Sequence, residues 1–414
     1  MKYIDLFAGA GGLSEGFIRA GFEPVAHIES DRAACYTLKT RTAYHYLKNA
    51  GQEDIYHKYL KKEISRTELY SHVPPEKLNS VINEEIGAEN VHSLIERIKE
   101  LNGGTDKVDL IVGGPPCQAY SVIGRARHQN GMKGDPRNFL YKFYAEFLRA
   151  FQPEMFVFEN VKGLRSAGGG KFLENIENIV DKSDYHMECR EQNSINYGVL
   201  QNRERLIIIG WKKTSNHRYP IFNPIHHDFK VKDALTDLPK IKAGEKYTGD
   251  YEAPTNDYLN KFSIRNGLPF VTQHEARNHT DQDLEIYRRA IRLWKDKQQR
   301  LNYADLPKHL RTHKNTTSFT DRFKVVAPEL TYSHTVVAHI SKDGHYYIHP
   351  DEEQCRSLSI REAARLQSFP DDYYFEGVKE GINRTPAFRQ IGNAVPPLMA
   401  EVIARTLRKR LARV

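Results

Sequence analysis

One stretch constrains this chain more than any other. The apolar run Val108, Leu110, Ile111, Val112 is followed at once by Gly113-Gly114-Pro115-Pro116-Cys117-Gln118-Ala119-Tyr120-Ser121. The run has the length and composition of a short, fully buried strand. Two glycines and two prolines end it abruptly, so Cys117 is expected at the carboxyl edge of a sheet, where open α/β folds bind their ligands. A thiolate there is a strong nucleophile once its neighbours favour ionisation. A free cysteine packed as a small apolar residue is the plainer alternative.

The same strand-and-turn rhythm opens the chain. Ile4, Leu6 and Phe7 read as a strand, Phe7-Ala8-Gly9-Ala10-Gly11-Gly12 as the turn leaving it, and Leu13, Phe17 and Ile18 recur at helical spacing. Glycines between a strand and a helix N-terminus let a ligand approach the backbone, and the helix end supplies free N–H groups. Ser14 stands where a dinucleotide-binding turn has its third glycine, which disfavours a nicotinamide-dependent oxidoreductase. Residues 24–28 form a second strand ending in Glu29, about 20 residues after Gly9, where an acid can hold both ribose hydroxyls.

Further on, residues 139–151 read as an amphipathic helix and residues 155–158 as a buried strand ending in Glu159-Asn160-Val161. Residues 206–209 form another strand, preceded by Gln201-Asn202-Arg203-Glu204-Arg205, with Arg203 and Arg205 on one side of an extended chain. Between these elements, residues 33–83 are polar, rich in Tyr and Lys and helical in pattern, and are read as an insertion on the domain surface. Residues 121–137 are rich in Gly, Arg and Asn with few apolar anchors, the composition of a loop that closes over a ligand.

From about residue 226 the α/β rhythm ends. Prolines punctuate polar stretches, Leu284, Tyr287, Ile291 and Trp294 mark an amphipathic helix, and residues 332–340 and 345–348 look strand-like. This shift implies a second, smaller domain. Ser359 and Glu362 have the spacing of a capping box for a helix closing at Pro370, and residues 398–411 carry a last apolar-periodic helix.

Charge points to a polyanionic partner: Lys+Arg number 61 against 53 Asp+Glu, and residues 277–324 alone hold twelve against six. The four cysteines, Cys35, Cys117, Cys189 and Cys355, lack CxxC or Cys/His spacing, so neither a disulfide framework nor a zinc site is expected and a reducing cytoplasm fits. His334, His339, His345 and His349 do not have metal-ligand spacing with a cysteine. Neither a signal peptide nor a membrane span is expected.

The ordered strings Asp5-Leu6-Phe7-Ala8-Gly9-Ala10-Gly11-Gly12, Pro115-Pro116-Cys117-Gln118, Glu159-Asn160-Val161, Gln201-Asn202-Arg203-Glu204-Arg205, residues 358–370 and Gln390-Ile391-Gly392-Asn393-Ala394-Val395-Pro396-Pro397 together resemble the DNA cytosine-5 methyltransferases of stand-alone bacterial type. The resemblance implies a Rossmann-like S-adenosylmethionine-dependent methyltransferase domain over residues 1–225, completed by residues 381–414. A target-recognition domain and interdomain linker would occupy residues 226–380.

It also implies roles. Cys117, Glu159, Arg203 and Arg205 would be catalytic. Phe7, Ala8, Gly9, Gly11, Gly12, Glu29, Ser30, Pro115, Asn393 and Ala394 would border the cofactor. Glu85 stands where the family has an aspartate against the adenine amine. Ser121, Ile123, Arg125, Arg127, Arg137, Arg311 and Lys314 would meet DNA, with Ile123 filling the space left by an extruded base. The partner implied is double-stranded DNA bound by a monomer, without metal or membrane, in a prokaryotic or phage-infected cytoplasm at the nucleoid, with cognate restriction or defence proteins as candidate partners. A tRNA cytosine-5 methyltransferase is disfavoured by the lack of a Cys-Phe-Thr string, and a catalytically silent DNA-binding adaptor by intact Cys117, Glu159 and Arg205.

Overall fold

The structure is a computed structural model that describes residues 1–115, 140–311, 317 and 320–412. Seven strands form one sheet in the order β3-β2-β1-β4-β5-β7-β6. They are β1 (Lys2–Leu6), β2 (Glu23–Glu29), β3 (Val81–Asn83), β4 (Leu110–Gly113), β5 (Met155–Asn160), β6 (Tyr185–Asn193) and β7 (Glu204–Lys212). The first five run parallel, whereas β7 lies antiparallel to both β5 and β6.

Alternation along the strands builds two cores. Ile4, Leu6, Ile111, Phe156, Phe158, Leu206 and Ile208 face one side, under α6 (Val91–Leu101), α7 (Leu140–Phe151) and α8 (Lys171–Asp181). Tyr3, Leu110, Val112, Met155, Val157, Ile207 and Ile209 face the other, under α1 (Gly12–Arg19) and the C-terminal α13 (Pro397–Leu411). Because α13 packs against α1, the end of the chain closes the layer that its beginning opens.

Residues 33–83 are not a surface appendage. Helix α2 (Arg32–Asn49) is the crossover that carries β2 to β3, and its Ala33, Ala34, Leu38, Ala43, Tyr44 and Leu47 are buried. The remaining helices α3 (Glu53–Leu60), α4 (Arg66–Ser71) and α5 (Pro75–Asn79) precede β3, and Tyr56, Tyr59, Leu60 and Leu69 join a core with Leu268, Phe270 and Tyr374. The polar composition reflects side chains that pair with one another and with residues 370–380, which a pattern of apolar residues alone does not register.

The second half is built mainly of turns and short helices. Its named elements are the two-stranded sheet β8 (Lys246–Gly249) and β9 (Val271–Glu275), α9 (Asp257–Lys261), α10 (Asp281–Lys297) within the basic segment, α11 (Ile360–Leu366) and α12 (Arg384–Asn393). The strand-like runs at 332–340 and 345–348 are not strands: residues 338–341 form a 3-10 turn, and Ser333 and Ile348 make only isolated bridges. Helix α11 has its capping box, Ser359 accepting from the Glu362 N–H and Glu362 accepting from the Ser359 N–H, but it ends at Leu366 rather than Pro370. The four histidines are spent on packing: His334 stacks on Tyr347, His339 meets Tyr346 edge-on, His345 pairs with the Tyr287 hydroxyl and His349 lies 3.4 Å from Glu362.

Buried charge holds this half together. Arg365, fully buried, donates to Asp237 and to Asp371 (2.6 and 2.8 Å). Arg356 makes two 2.7 Å bonds to Glu362, and Arg361 reaches Thr272 and the carbonyls of Pro370 and Tyr373. Buried guanidinium groups need such complete partnering, since an unpaired charge away from water is costly.

A candidate active site at the carboxyl edge of the sheet

Register brings the motifs together. Leu6 lies beside Gly113 and Gly113 beside Phe158, so the turn after β1, the Gly114-Pro115 step after β4 and Glu159 at the end of β5 share one edge. Strand β7 runs the opposite way, which brings its first residues to the same edge, with Leu206 opposite Asn160. Arg205 can therefore reach Glu159, its Nε lying 2.7 Å from Oε1, and both side chains are largely buried.

The β4 loop is pressed onto this pair. A Cβ on Gly114 would meet the Glu159 carbonyl oxygen and lie 2.9 Å from Oε2, so only glycine allows so close an approach. Asn160 donates from Nδ2 to the Pro115 carbonyl (3.2 Å) while its Oδ1 accepts from the Val161 N–H (2.9 Å), tying strand end to loop. Next to Arg205 opens a pocket of about 320 Å³ lined by Val161, Lys162, Gly163, Asn202, Glu204 and Thr335.

Arg203 is placed differently from Arg205. It is fully buried and donates to the carbonyls of Val336 (2.8 Å) and Gly392 (3.1 Å), which makes it a tie between the sheet, the second half and α12. Through these bonds it supports the chain behind Arg205.

The turn after β1 forms a cradle beside the pair. Phe7 (φ 59°) and Gly9 (φ 56°) turn the chain, and Gly11 stands at the N-cap of α1. Glu29 accepts from the Gly9 N–H through Oε2 (2.8 Å) and from the Asp31 N–H through Oε1 (2.7 Å), while Ser30 lies against it (3.4 Å). Burial pushes the Glu29 carboxyl above its ordinary range, against the pull of those backbone donors. Ala8 and Ala394 are buried, and a Cβ on Gly12 would strike the Val395 carbonyl and lie 3.1 Å from the Ala394 methyl. The two ends of the chain thus meet at this cradle, with Asn393 exposed at its rim.

Two buried groups here escaped the sequence reading. Asp5, 1% exposed, has neither carboxylate oxygen hydrogen-bonded, and burial, with Glu29 nearby, holds its carboxyl well above the usual range. An acid in an otherwise apolar strand was the available signal. Tyr373 donates its hydroxyl to the Ala10 carbonyl, a contact across the whole chain that spacing does not encode.

Glu85 is exposed just beyond β3, where its carbonyl accepts from Asn90 (2.9 Å). Arg311 folds back toward the Ala304 carbonyl (3.4 Å). Cys117, Ser121, Ile123, Arg125, Arg127, Arg137 and Lys314 lie outside the described residues.

The glycine turn, the acid at the end of β2 and an orphaned buried carboxyl beside them fit an adenosyl cofactor: a backbone open to close approach, an acceptor for ribose hydroxyls, and a polar atom awaiting a partner. A mixed sheet of this order with its site at the carboxyl edge is that of a Rossmann-like methyltransferase. A family model described as C-5 cytosine-specific DNA methylase matches residues 1–68 and 83–409. The chain is 40% identical to the Type II methyltransferase M.Bpa9945I of Bacillus paralicheniformis, covering 99% of this chain and 98% of that protein. It is 30% identical to M1.HphI of Haemophilus parahaemolyticus, covering 99% and 87%. Among solved structures, a prophage-encoded E. coli chain matches with TM-score 0.65 at 24% identity over 100% of this chain and 99% of its own, and S. pombe Dnmt2 with 0.54 at 13% over 99% of each. At those identities the two structures attest the fold alone.

The chain belongs to the C-5 cytosine-specific DNA methylase family, and its reaction is methyl transfer to C5 of cytosine in DNA. The match runs through most of residues 33–83 and omits only 69–82 of that segment.

Proposed function

We propose that this chain methylates one cytosine of a specific double-stranded DNA sequence after extruding it from the helix, with Cys117 as nucleophile, Glu159 as proton donor and Arg205 as the group that orients both Glu159 and the base. The observation that carries this reading is the 2.7 Å Glu159–Arg205 pair packed against Gly114, three residues of chain before Cys117. C5 of cytosine is a poor nucleophile until the ring is made electron-rich. The Cys117 thiolate adds to C6, forming the S–C6 bond, as Glu159 delivers a proton to N3, and C5 becomes enamine-like. Arg205 holds the ring carbonyl oxygen and balances the carboxylate that Glu159 becomes. Phe7, Ala8, Gly9, Gly11, Gly12, Glu29, Ser30, Glu85, Pro115, Asn393 and Ala394 would hold S-adenosylmethionine, which when bound supplies the methyl group as an electrophile. A base then removes the C5 proton, the S–C6 bond breaks, Cys117 leaves as thiolate and N3 returns its proton to Glu159.

C6 is covered by stacking in a duplex, so the base must be outside it. Residues 1–225 with 381–414 would carry the chemistry and residues 226–380 the recognition, and Arg311, Lys314, Ser121, Ile123, Arg125, Arg127 and Arg137 would meet DNA. The composition of residues 277–324 and the exposed basic side of α10 support a phosphate-facing surface there. The same reading makes the chain a monomer in a bacterial cytoplasm, at the nucleoid, and likeness to Type II methyltransferases supports action with a cognate nuclease or in phage defence. Base-resolution mapping of 5-methylcytosine in a host expressing the chain tests the reading: methylation at one recurring sequence is expected, and an unmodified genome would refute it.

A further inference from the structure

Three consecutive residues, Asp371-Asp372-Tyr373, are gripped from three directions. Asp371 receives Arg365 and the Tyr251 hydroxyl (2.7 Å), and its N–H donates to the Ile264 carbonyl (2.7 Å), all within residues 226–380. Asp372 receives Arg41 of α2 (2.9 Å), which also makes 2.6 and 2.8 Å bonds to Glu15 in the first turn of α1. Tyr373 is 1% exposed, lies under the Arg41 guanidinium (4.8 Å to the ring centre), packs on Phe369 and Phe375, and donates its hydroxyl to the Ala10 carbonyl.

That carbonyl belongs to the peptide at the centre of the glycine turn. The N–H of the same peptide, on Gly11, donates to the Ala8 carbonyl (2.9 Å). Its orientation thus rests on two anchors, one at each end, and Gly11 sits at φ 79°, where rotation of the peptide meets little steric resistance. A Cβ on Gly11 would lie 2.8 Å from the Tyr373 hydroxyl oxygen, so hydroxyl and glycine backbone are matched in shape as well as in bonding.

We infer that Tyr373 is a positioning residue for the cofactor: its hydroxyl locks the Ala10–Gly11 peptide in the orientation that receives S-adenosylmethionine, without touching the reacting atoms. The inference rests on reading residues 7–12 as the cofactor cradle. Loss of one anchoring hydrogen bond, with its buried acceptor left unsatisfied, corresponds to about tenfold in affinity.

The test is titration calorimetry of the full chain with S-adenosylmethionine, alongside steady-state methylation, for wild type, Tyr373→Phe and Tyr185→Phe. Tyr185 is an equally buried tyrosine whose hydroxyl donates to the Pro153 carbonyl (2.6 Å) and controls for general loss of stability. Expected are a Kd and KM for S-adenosylmethionine about tenfold higher in Tyr373→Phe, with kcat at saturating cofactor within about twofold of wild type. Tyr185→Phe should leave all three unchanged. Cofactor binding in Tyr373→Phe within about twofold of wild type, or an equal loss in Tyr185→Phe, would overturn the inference. Absence of binding by the wild-type chain would instead overturn the cradle reading beneath it, and the inference with it.

Discussion

Glu159→Gln is the sharpest test of the chemistry, because it changes one atom of a site whose geometry is otherwise retained. Glu159 uses Oε1 for Arg205 at 2.7 Å and directs Oε2 toward the β4 loop, 2.9 Å from where a Gly114 Cβ would stand. Glutamine keeps the length and planarity and can still donate an N–H to the cytosine ring nitrogen, but it cannot deliver the proton. Exchanging a charge-assisted bond for a neutral one costs about 1–2 kcal/mol, or roughly 5- to 30-fold in rate. Losing the proton transfer itself costs about 10²–10⁴-fold. Single-turnover transfer of labelled methyl into a duplex containing the recognition sequence should therefore slow by about 10²–10³-fold. The Kd for S-adenosylmethionine should stay within about twofold, since the Gly9–Glu29 cradle is left intact. A transfer rate within twofold of wild type would remove Glu159 from the mechanism. A parallel collapse of cofactor affinity would show that the substitution had damaged the fold.

Cys117→Ala should abolish methyl transfer while leaving sequence-specific DNA binding intact in a gel-shift assay, and only the wild-type chain should be trapped covalently on a duplex carrying 5-fluorocytosine at the target. Neutralising three or more basic residues of α10 should flatten the dependence of DNA affinity on salt by about one charge each, and an unchanged slope would move the phosphate contacts elsewhere. Arg365→Met leaves buried Asp237 and Asp371 with only the longer contacts to Arg265 (3.3 Å) and Arg361 (4.0 Å) and should cost about 3 kcal/mol by chemical denaturation. Loss under about 1 kcal/mol would show that water reaches the cluster. Burial raises the Glu376 carboxyl to about 7, with the hydroxyls of Tyr59 and Thr40 and the Arg66 guanidinium facing it and Glu380 opposing ionisation. Because its folded value exceeds the ordinary 4.5, stability should fall by about 3 kcal/mol as pH rises from about 4.5 through 7. Glu376→Gln should lack that component, and an identical pH profile of Tm in the variant would refute it.

How much of this was legible in the sequence depends on the range of the interaction. The strands that deliver Gly9, Gly114 and Glu159 announce themselves as short apolar runs ended by glycine or by a carboxylate, and residues 110–113, 155–160 and 204–212 form strands where the runs predict them. Spacing also led to Glu29 beside Gly9, because an acid at the end of the next parallel strand is adjacent to the turn after the first. Local periodicity failed where residues are held by distant charge. The polar composition of residues 33–83 reads as an insertion on the domain surface, yet Arg41, Tyr56, Tyr59 and Arg66 are each bonded to residues 372–378. Arg203 and Arg205 show the opposite failure. Their spacing puts them on one side of an extended chain, but Arg203 precedes the first residue of β7, and its guanidinium meets the carbonyls of Val336 and Gly392 while Arg205 meets Glu159.

The buried arginines suggest why recognition and chemistry need not be separable bodies here. Val336, Leu358, Leu366, Phe369 and Phe375 pack in one cluster with Ala10 of the glycine turn and Leu398 of α13, so the core of the second half is continuous with the floor of the cofactor cradle. Apolar packing of that kind tolerates small slips. The ion pair between the halves does not: Arg41 bridges Glu15 to Asp372, while Arg365 bridges Asp237 to Asp371 within the second half and holds the neighbouring Asp372 in place. Because Asp372 would lose its ion-pair partner, the Arg41 bridge specifies one register between the halves even where it contributes little net stability. A rotation of residues 226–380 large enough to break the Arg41–Asp372 bridge would also pull Tyr373 from Ala10. Domain movement during DNA binding should therefore occur outside residues 356–376, leaving the cradle unchanged. Hydrogen exchange supports this if amides of residues 360–366 remain the slowest in the second half with and without DNA, and refutes it if they open on binding.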